Sequence, residues 1–373
     1  LTRAMSFALN RSQPCAVTPS PTRSGGCLPC AHHASKSHEL KLDGAHLRTA
    51  LHSLCMRCLI RSGEVFFIGR PGMGGPEDAA CFESMGGKVN NESSIWNPIR
   101  NALKNLNGIR TLSYDDAKAY ARCYAAAINA TDLVVRLGSA VSDLRKPLTA
   151  CTRPGRSHFQ KTDVLLGRAG HLFPERILEN CVLNPWEALA SKPFADGMDG
   201  FNSSVVHQLL SWTRALRSKT VLVVHPFTLT IAAQLARGNV ALWGDLAEDI
   251  MPSGIRFKLA RAPQNLGNLT EQETWRDAFE ELVARVDAAG PFDIALISCG
   301  GLGLLLGAHL KATNRSSIYH GGALQLWFGI IGKRWSGSYM ARTNRNWTKP
   351  LNPDIPKTFF RSNAKSGDGS AYW

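Results

Sequence analysis

The stretch Asp293-Ile-Ala-Leu-Ile-Ser-Cys-Gly-Gly-Leu-Gly303 decides the fold. An uninterrupted apolar run, Asp293–Ser298, is followed by a glycine-rich turn and then by an apolar helical pattern that continues to Lys311. A continuous apolar run without alternation is typical of a strand that is covered on both faces of a parallel sheet. A strand, a glycine turn and a helix in this order predict an α/β unit.

The same order of strand, polar turn and helix recurs along the chain. The other runs predicted as strands are Glu64–Gly69, Asp132–Leu137, Thr220–His225 and Ser316–Tyr319. Helices are predicted from Ser113 to about Ile128 and, through a capping box at Thr270 and Glu273, to about Ala288. This alternation predicts an α/β fold: a doubly wound, mostly parallel, Rossmann-like sheet with helices on both faces.

Composition divides the chain into a body and two ends. We expect residues 61–340 to form the α/β domain, with a loop-rich insertion at about 145–205, and residues 341–373 to pack on it as an extension. Residues 1–60 form a basic, low-complexity segment with a possible helix at 45–60. Its arginine- and serine-containing, acid-poor start is typical of an organelle transit peptide (plastid or mitochondrion), of a disordered tail, or of sequence upstream of the true start.

The formal charge of +14 is concentrated at the ends of the chain. Residues 1–60 carry a net charge of +5 and residues 333–373 one of +6, which leaves +3 for the residues between them. Because positive and negative charges are nearly balanced in residues 61–332, a nucleic-acid-binding surface on the folded domain is disfavoured. No run reaches the ~18 apolar residues of a membrane helix, so we expect a soluble, intracellular protein.

The 10 cysteines include two Cys-x-x-Cys pairs, Cys27 with Cys30 and Cys55 with Cys58. Four thiolates can hold zinc in a tetrahedral site. The gap between the pairs is longer than in zinc ribbons, and the second pair falls in the possible helix, where cysteine is commonly a small buried apolar residue. The other cysteines show no pairing pattern, which favours a reducing compartment over a disulfide scaffold.

Three glycines, Gly300, Gly301 and Gly303, follow the strand of the quoted stretch. Glycine lets backbone N–H groups approach a phosphate, which the start of the next helix also attracts. The spacing from Gly301 to Gly307 is one residue longer than the dinucleotide-binding fingerprint, and no acid follows before Asp354 to bind a ribose. An NAD(P)-dependent oxidoreductase is therefore the weaker enzyme alternative, while phosphate binding and tight packing both remain open for this turn.

A second turn, His320-Gly321-Gly322, joins the short strand Ser316–Tyr319 to a helix. Another helix N-terminus is thereby expected at the carboxyl ends of the strands, where ligands of open α/β sheets bind. His320 is a candidate for phosphate contact or for acid chemistry. Gln325 lies in the helix, and Lys333 and Arg334 lie just beyond it, where two basic side chains could offset diphosphate charge.

Two further strand ends carry candidate residues. His225 ends one predicted strand and Thr230 follows at the start of a helix, so both could line the same edge. The turn after Ile68 supplies Arg70 and Gly72 for phosphate. Glu77 and Asp78 could hold a divalent metal through oxygen ligands or could be acids that favour a helix N-terminus. Together the four turns predict one crevice for an anionic, phosphorylated ligand.

The carboxyl half of the sequence resembles a family of GT-D-type glycosyltransferases and their uncharacterised relatives. The resemblance is strongest in Asp293–Lys311 and in His320-Gly-Gly-Ala-Leu-Gln-Leu-Trp-Phe-Gly-Ile-Ile-Gly-Lys-Arg-Trp335, and it extends to Val221–Ile231. Trp347–Pro350 and Asp368–Trp373 look like the closing motifs of the family. Ile68–Glu77 resembles the opening turn less well, and the match is weak between residues 86 and 200.

The resemblance implies transfer of a sugar from a nucleotide-diphosphate donor to an acceptor hydroxyl, with Mn²⁺ or Mg²⁺ held by an Asp-x-Glu pair in the opening turn. That pair is absent here, and Glu77 and Asp78 are the nearest stand-ins for it. With His225 they are also the candidate bases. The glycine turns, with Arg70, Lys333 or Arg334, would hold the diphosphate. A non-catalytic nucleotide- or sugar-binding relative is the alternative that the missing pair favours.

Overall fold

The computed structural model describes residues 44–71, 74–84, 92–136, 177–179, 183–186, 211–266, 272–335 and 345–355. Several predicted features lie outside these residues: the leader up to residue 43, most of the insertion 145–205, Gly72 and the closing motif Asp368–Trp373. The side chains of residues 44–51, 92, 136, 177, 179 and 334 also lie outside the description.

The described strands form one parallel sheet, which confirms the predicted α/β fold class. The strands are β1 (Phe67–Gly69), β2 (Leu133–Arg136), β3 (Ile177–Glu179), β4 (Thr220–His225), β5 (Arg256–Arg261), β6 (Ile294–Ile297) and β7 (Ser317–Tyr319). Their order across the sheet is β3-β2-β1-β7-β6-β4-β5. In the centre Val224 pairs with Ile297, which pairs with Tyr319, so the carboxyl ends of β4, β6 and β7 lie side by side.

Helices cover both faces of the sheet, which gives the domain two cores. Val221 and Val223 of β4 point into the first core, and Leu222 and Val224 point into the second. The helices of the first core are α1 (Gly44–Ser62), α5 (Thr228–Arg237), α6 (Asn239–Trp243), α7 (Ala247–Ile250) and α10 (Leu324–Trp327). The helices of the second core are α2 (Gly75–Ser84), α3 (Glu92–Asn107), α4 (Tyr114–Asn129), α8 (Trp275–Ala288) and α9 (Gly303–Ala312). None of the helices within the described ranges is long and apolar enough to cross a membrane.

Side-chain caps fix the starts of two helices of the second core. Ser113 caps α4 as predicted, because its hydroxyl accepts the Asp116 N–H at 3.1 Å. The capping box predicted at Thr270 and Glu273 is wrong, since Thr274 and Asp277 form it instead. Trp275 explains the later start: its ring is buried in the second core, and its indole N–H donates to the Asp116 carboxylate at 3.0 Å.

Two elements lie outside the main part of the predicted domain: α1 corresponds to the possible helix predicted at 45–60, and β3 falls in the predicted loop-rich insertion. Met56 and Ile60 of α1 pack into the first core, and the Arg57 guanidinium donates hydrogen bonds of 2.7 and 3.0 Å to the Ser211 carbonyl. α1 therefore packs on the domain that was predicted from residue 61. β3 lies within the predicted insertion and pairs with β2 at the edge of the sheet.

Residues 345–355 pack on the helices of the first core. Thr348 forms a parallel bridge with Ile330, and the Trp347 indole donates to the Leu242 carbonyl at 3.0 Å. The Asn346 carboxamide donates to the Ala241 carbonyl at 2.8 Å. This part of the predicted extension 341–373 is therefore anchored to α6 and to the chain that follows α10.

Gly307 of α9 lies directly against the ring of Phe67 in β1. A Cβ at this position would lie 2.1 Å from the ring. We expect Gly307→Ala to lower the free energy of unfolding by about 1–2 kcal/mol, because overpacking outweighs the gain in helix propensity. Chemical denaturation measures the change, with Ala312→Ser at an exposed position of the same helix as the control. A Gly307→Ala protein as stable as the wild type would contradict the close packing.

Candidate functional site

The candidate site lies at the carboxyl edge, by which we mean the residues that end or follow β1, β4, β6 and β7. They are Arg70, His225–Phe227, Ser298–Gly303 and His320–Gly322. The chain leaves β4 and β7 towards helices of the first core, but it leaves β1 and β6 towards helices of the second core. Where neighbouring parallel strands lead to helices on opposite faces of the sheet, a crevice forms at their carboxyl ends. This arrangement occurs between β1 and β7, between β7 and β6, and between β6 and β4.

Arg70 meets the turn that follows β7. A Cβ on Gly321 would lie 2.7 Å from Arg70 Nη1, so the guanidinium lies directly against the turn. Gly321 has a φ of +66°, a backbone conformation that favours glycine. Three predicted site residues, Arg70, His320 and Gly321, therefore lie together. The half-buried guanidinium brings a planar cation suited to phosphate to this edge of the sheet.

His320 is enclosed between two indole rings. Its ring centroid lies 5.5 Å from that of Trp186 and 5.8 Å from that of Trp212, and its Nδ1 lies 3.3 Å from Asn184 Oδ1. Burial, together with the charge of Arg70, lowers the pKa of His320 to about 3. The imidazole is therefore neutral near pH 7, which suits hydrogen bonding better than the acid role expected from sequence.

His225 is a second neutral imidazole at the carboxyl edge. Its Nδ1 accepts the Phe227 N–H at 3.0 Å, so in the neutral ring Nε2 carries the hydrogen. Burial lowers the pKa of His225 to about 3. Nε2 is buried and has no hydrogen-bond partner among the described residues. The geometry therefore makes His225 a hydrogen-bond donor rather than the base expected from sequence.

A carboxylate of the chain itself lies at the start of α5. Asp354 accepts hydrogen bonds from the Leu229 N–H at 3.2 Å, the Thr230 N–H at 2.6 Å and the Thr230 hydroxyl at 2.5 Å. The Thr230 hydroxyl also accepts the Leu351 N–H at 2.9 Å. These contacts occupy Thr230, a predicted phosphate ligand, with the segment 345–355. Asp354 thus supplies the helix cap that Phe227, at the N-cap position, lacks.

Removal of this cap is expected to destabilise the domain. Asp354→Ala removes the acceptor of two N–H groups of α5 and of the Thr230 hydroxyl hydrogen, and we expect the free energy of unfolding to fall by about 1–2 kcal/mol. Asp354→Asn is the control, because its carboxamide oxygen can still accept, and it should recover at least half of the loss. Thermal unfolding measures both. An Asp354→Ala protein that unfolds at the wild-type temperature would show that the cap contributes nothing.

The glycines after β6 are explained by packing. Cβ atoms on Gly301 and Gly303 would lie 2.5 Å from the Ile109 side chain and 2.1 Å from the Tyr319 ring, respectively. Gly300 has a φ of +59°. The hydroxyls of Tyr319 and Tyr120 donate to the Gly300 and Gly301 carbonyls at 2.8 and 2.7 Å. Packing thus accounts for all three glycines, and phosphate binding at this turn stays a prediction.

Glu77 lies inside the second core. Its side chain is 2% exposed, and Oε1 accepts a hydrogen bond from the Tyr124 hydroxyl. Burial, with the Glu77 charge as the next cause, raises the pKa of Tyr124 well above its ordinary value. Asp78 is half-buried. No group of three or more His, Cys, Asp or Glu side chains within the described ranges could hold a metal ion, and the Mn²⁺ or Mg²⁺ site of the resemblance stays a prediction.

The remaining predicted residues follow β7 in the turn, in α10 and in the chain after it. Gln325 is fully buried in α10, where its Nε2 donates to the Ile330 carbonyl at 3.1 Å. Gly322 is half-buried beside Gly321, and Lys333 is exposed in a short 3₁₀ turn. Arg334 lies in the same turn. The structure therefore gives Gln325 a role in the fold, while Lys333 lies on the surface.

The cysteines differ from the expectation of an unpaired, reduced set. Cys55, Cys81 and Cys123 are disulfide-bonded, whereas Cys58 and Cys299 are free. Cys55 therefore offers no thiolate to the zinc site considered from sequence, and Cys27 and Cys30 lie outside the described residues. The spacing of the cysteines along the chain does not predict which of them are disulfide-bonded. Cys81 and Cys123, for example, belong to two helices that are distant in sequence and come into contact in the folded domain.

Sequence reasoning missed Asn184 and Asp354. Asn184 belongs to the stretch predicted as a loop-rich insertion, and Asp354 to the extension, and neither stands in a recognisable motif. Each reaches its partner, His320 or Thr230, across more than 100 residues of chain. No family model, no curated protein and no solved structure matches this chain. The Rossmann-like fold and the carboxyl edge therefore carry the functional argument.

Proposed function

We propose that this protein transfers a sugar from a nucleotide-diphosphate donor to an acceptor hydroxyl. The observation that carries the proposal is the Arg70 guanidinium packed against the glycine turn of Gly321. A guanidinium fork binds phosphate through two parallel hydrogen bonds, and the leaving group of this transfer is a diphosphate. The resemblance of residues 293–311 and 320–335 to GT-D-type glycosyltransferases is the second support.

In this proposal the carboxyl edge binds the donor through neutral and cationic groups. Arg70 and the backbone N–H groups of the Gly321–Gly322 turn hold the diphosphate and stabilise its charge as the glycosidic bond breaks. Lys333, exposed nearby in sequence, is a further cation for the same charge. No step is assigned to a divalent cation, because Glu77 is enclosed in the second core, where it accepts a hydrogen bond from Tyr124.

The base for the acceptor hydroxyl is assigned by accessibility. Of the three candidates, Glu77 and His225 are 2% and 1% exposed, whereas Asp78 is half-buried in the first turn of α2. Asp78 is therefore the candidate that an acceptor could reach. Its carboxylate would take the hydroxyl proton as the oxygen attacks the sugar carbon.

The experiment is a donor panel. The purified protein is incubated with UDP-, GDP-, ADP- and CMP-linked sugars, with and without Mn²⁺, and mass spectrometry follows the released nucleotide and the glycosylated or hydrolysed sugar. Turnover of at least one donor supports the proposal. Failure to bind or turn over any donor contradicts it.

A non-catalytic nucleotide-sugar-binding protein is the second candidate function. The enclosure of Glu77 and the low pKa of His225 favour it, because both remove a potential base from the carboxyl edge. A ligand that binds only the folded state must raise the melting temperature. A nucleoside diphosphate that stabilises the protein, with no turnover of any donor in the panel, would select this function.

A further inference from the structure

The outer side of the first core carries an exposed surface that is both apolar and basic. It is formed by α5 and by residues 345–351, and we call it the α5 face. The exposed side chains of α5 before Arg237 are apolar and recur at helical spacing: Leu229, Ala232, Ala233 and Ala236. The side of α5 that meets water is therefore apolar up to the last residue of the helix.

Hydrogen bonds hold residues 345–351 against α5 along its length. Near the start of the helix, the Leu351 N–H donates to the Thr230 hydroxyl at 2.9 Å. Near its end, the Gln234 carboxamide and the Arg237 guanidinium each donate to the Asn346 carbonyl at 3.1 Å. The segment thus runs antiparallel to α5, and the side chains that the two elements expose form one surface.

Two leucines stand out of this surface at the start of α5. Leu229 is 53% exposed and Leu351 is 40% exposed. They lie close together, because the N–H groups of Leu351 and Leu229 bind Thr230 and Asp354, respectively. Adjoining apolar side chains that are rimmed by polar groups mark a surface that a protein or a membrane covers.

The charge of the α5 face is of one sign. Its exposed cations are Arg237, Arg345 and Lys349. Neither α5 nor the segment 345–351 contains an acid. Asp354, the next acid along the chain, is only 1% exposed, and Glu248, beyond the end of α5, is paired with Arg217. The occupant that complements this surface is therefore apolar and negatively charged.

We infer that the α5 face binds the surface of an anionic membrane. Leucine side chains enter the boundary between headgroups and acyl chains, while arginine and lysine remain among the anionic headgroups. A second copy of the chain would oppose three like charges with three. Protein interfaces are anchored chiefly by aromatic side chains and arginine, and the large apolar residues exposed within the described ranges are all aliphatic.

This inference does not depend on the proposed sugar transfer. α5 begins directly after the polar turn that ends β4, so the α5 face adjoins the carboxyl edge. Attachment through this face therefore brings the candidate site close to the membrane.

Flotation of the full-length chain with lipid vesicles tests the inference. Vesicles of phosphatidylcholine alone are compared with vesicles that contain about 30% phosphatidylglycerol, at low ionic strength. We expect binding to the anionic vesicles and binding about tenfold weaker, or weaker still, to the neutral ones. Equal binding to both overturns the inference. Failure to float with the anionic vesicles also overturns it and leaves an acidic protein as the occupant.

Two matched triple variants separate the α5 face from the net charge of the chain. Replacement of its cations by glutamine (Arg237→Gln, Arg345→Gln and Lys349→Gln) should weaken binding to the anionic vesicles about tenfold or more. The control removes three exposed arginines elsewhere and should weaken binding less than about threefold: Arg61→Gln, Arg122→Gln and Arg217→Gln. Equal losses in the two triple variants would remove binding from the α5 face.

A second pair of variants tests the apolar contribution. Leu229→Gln should weaken binding to the anionic vesicles about fivefold, because part of a leucine side chain no longer leaves water. Leu112→Gln changes an exposed leucine before α4 and should leave binding unchanged. Equal effects of the two substitutions would contradict insertion at the α5 face. Sedimentation without vesicles gives the last check, since a dimer that Leu229→Gln dissociates would make a second copy the occupant, whereas a monomer supports the inference.

Discussion

Replacement of Arg70 by methionine is expected to weaken the binding of a nucleoside diphosphate by about 10- to 100-fold. A charge-assisted hydrogen bond contributes about 1.5–3 kcal/mol, which corresponds to this range of affinity. Methionine keeps most of the side-chain volume beside Gly321 but removes the cation and its donors. Calorimetric titration with UDP, or with whichever nucleoside diphosphate binds the wild type most tightly, measures the loss.

Two variants separate the phosphate contact from a general loss of charge. Arg217 is an exposed arginine that precedes β4, at the amino ends of the strands. Arg217→Met should therefore leave the affinity within about twofold. Arg70→Lys keeps the charge without the planar fork and should recover only part of the affinity. Wild-type affinity in Arg70→Met, or an equal loss in Arg217→Met, would remove Arg70 from the site.

Acidification from pH 7 to pH 5 is expected to destabilise the protein strongly. His225 and His320 have pKa values of about 3 in the folded protein, against 6.5 for an exposed histidine. Below about pH 6.5 the unfolded chain binds protons that the folded protein excludes, so stability is present above that pH and is lost as the pH falls. The loss is about 2 kcal/mol for each histidine over this interval, or about 4 kcal/mol for both.

Urea denaturation at several pH values measures this loss. His225→Gln removes one of the two titrating groups and should shrink the pH dependence by about half, even where the variant is less stable overall. Proton NMR provides a check that needs no variant, because the two imidazole signals should not shift between pH 8 and pH 5. A stability that is constant over this range, or two imidazoles that titrate near pH 6.5, would contradict the burial of neutral rings.

The central strands could be predicted because each is an unbroken apolar run that is buried on both faces. β4 matches its prediction from Thr220 to His225, and β6 and β7 lie within theirs. β5 was missed because it alternates charged and apolar residues in Arg256–Arg261, a pattern produced by its position at the edge of the sheet, where it pairs with β4 alone. β3, at the other edge, is too short for a periodic signal.

The candidate site was predictable in its location and less so in its contacts. Parallel strands bring their carboxyl ends together, so the sequence alone predicts Arg70, His225 and His320 on one edge of the sheet. The roles of the side chains depend on partners distant in sequence: Asp354 occupies Thr230, and Tyr124 encloses Glu77. The glycines after β6 show the same limit, because only the fold reveals the Tyr319 ring beside Gly303.

Hydrogen–deuterium exchange with and without a bound nucleotide sugar tests most directly whether the carboxyl edge is the donor site. We predict slower exchange on binding in the peptides that contain residues 68–71 and 320–324, and no change in α8, which packs against the edge strand β5. Unchanged exchange in both of these peptides with the ligand bound, or protection confined to other parts of the chain, would contradict the assignment of donor binding to Arg70 and the His320–Gly322 turn.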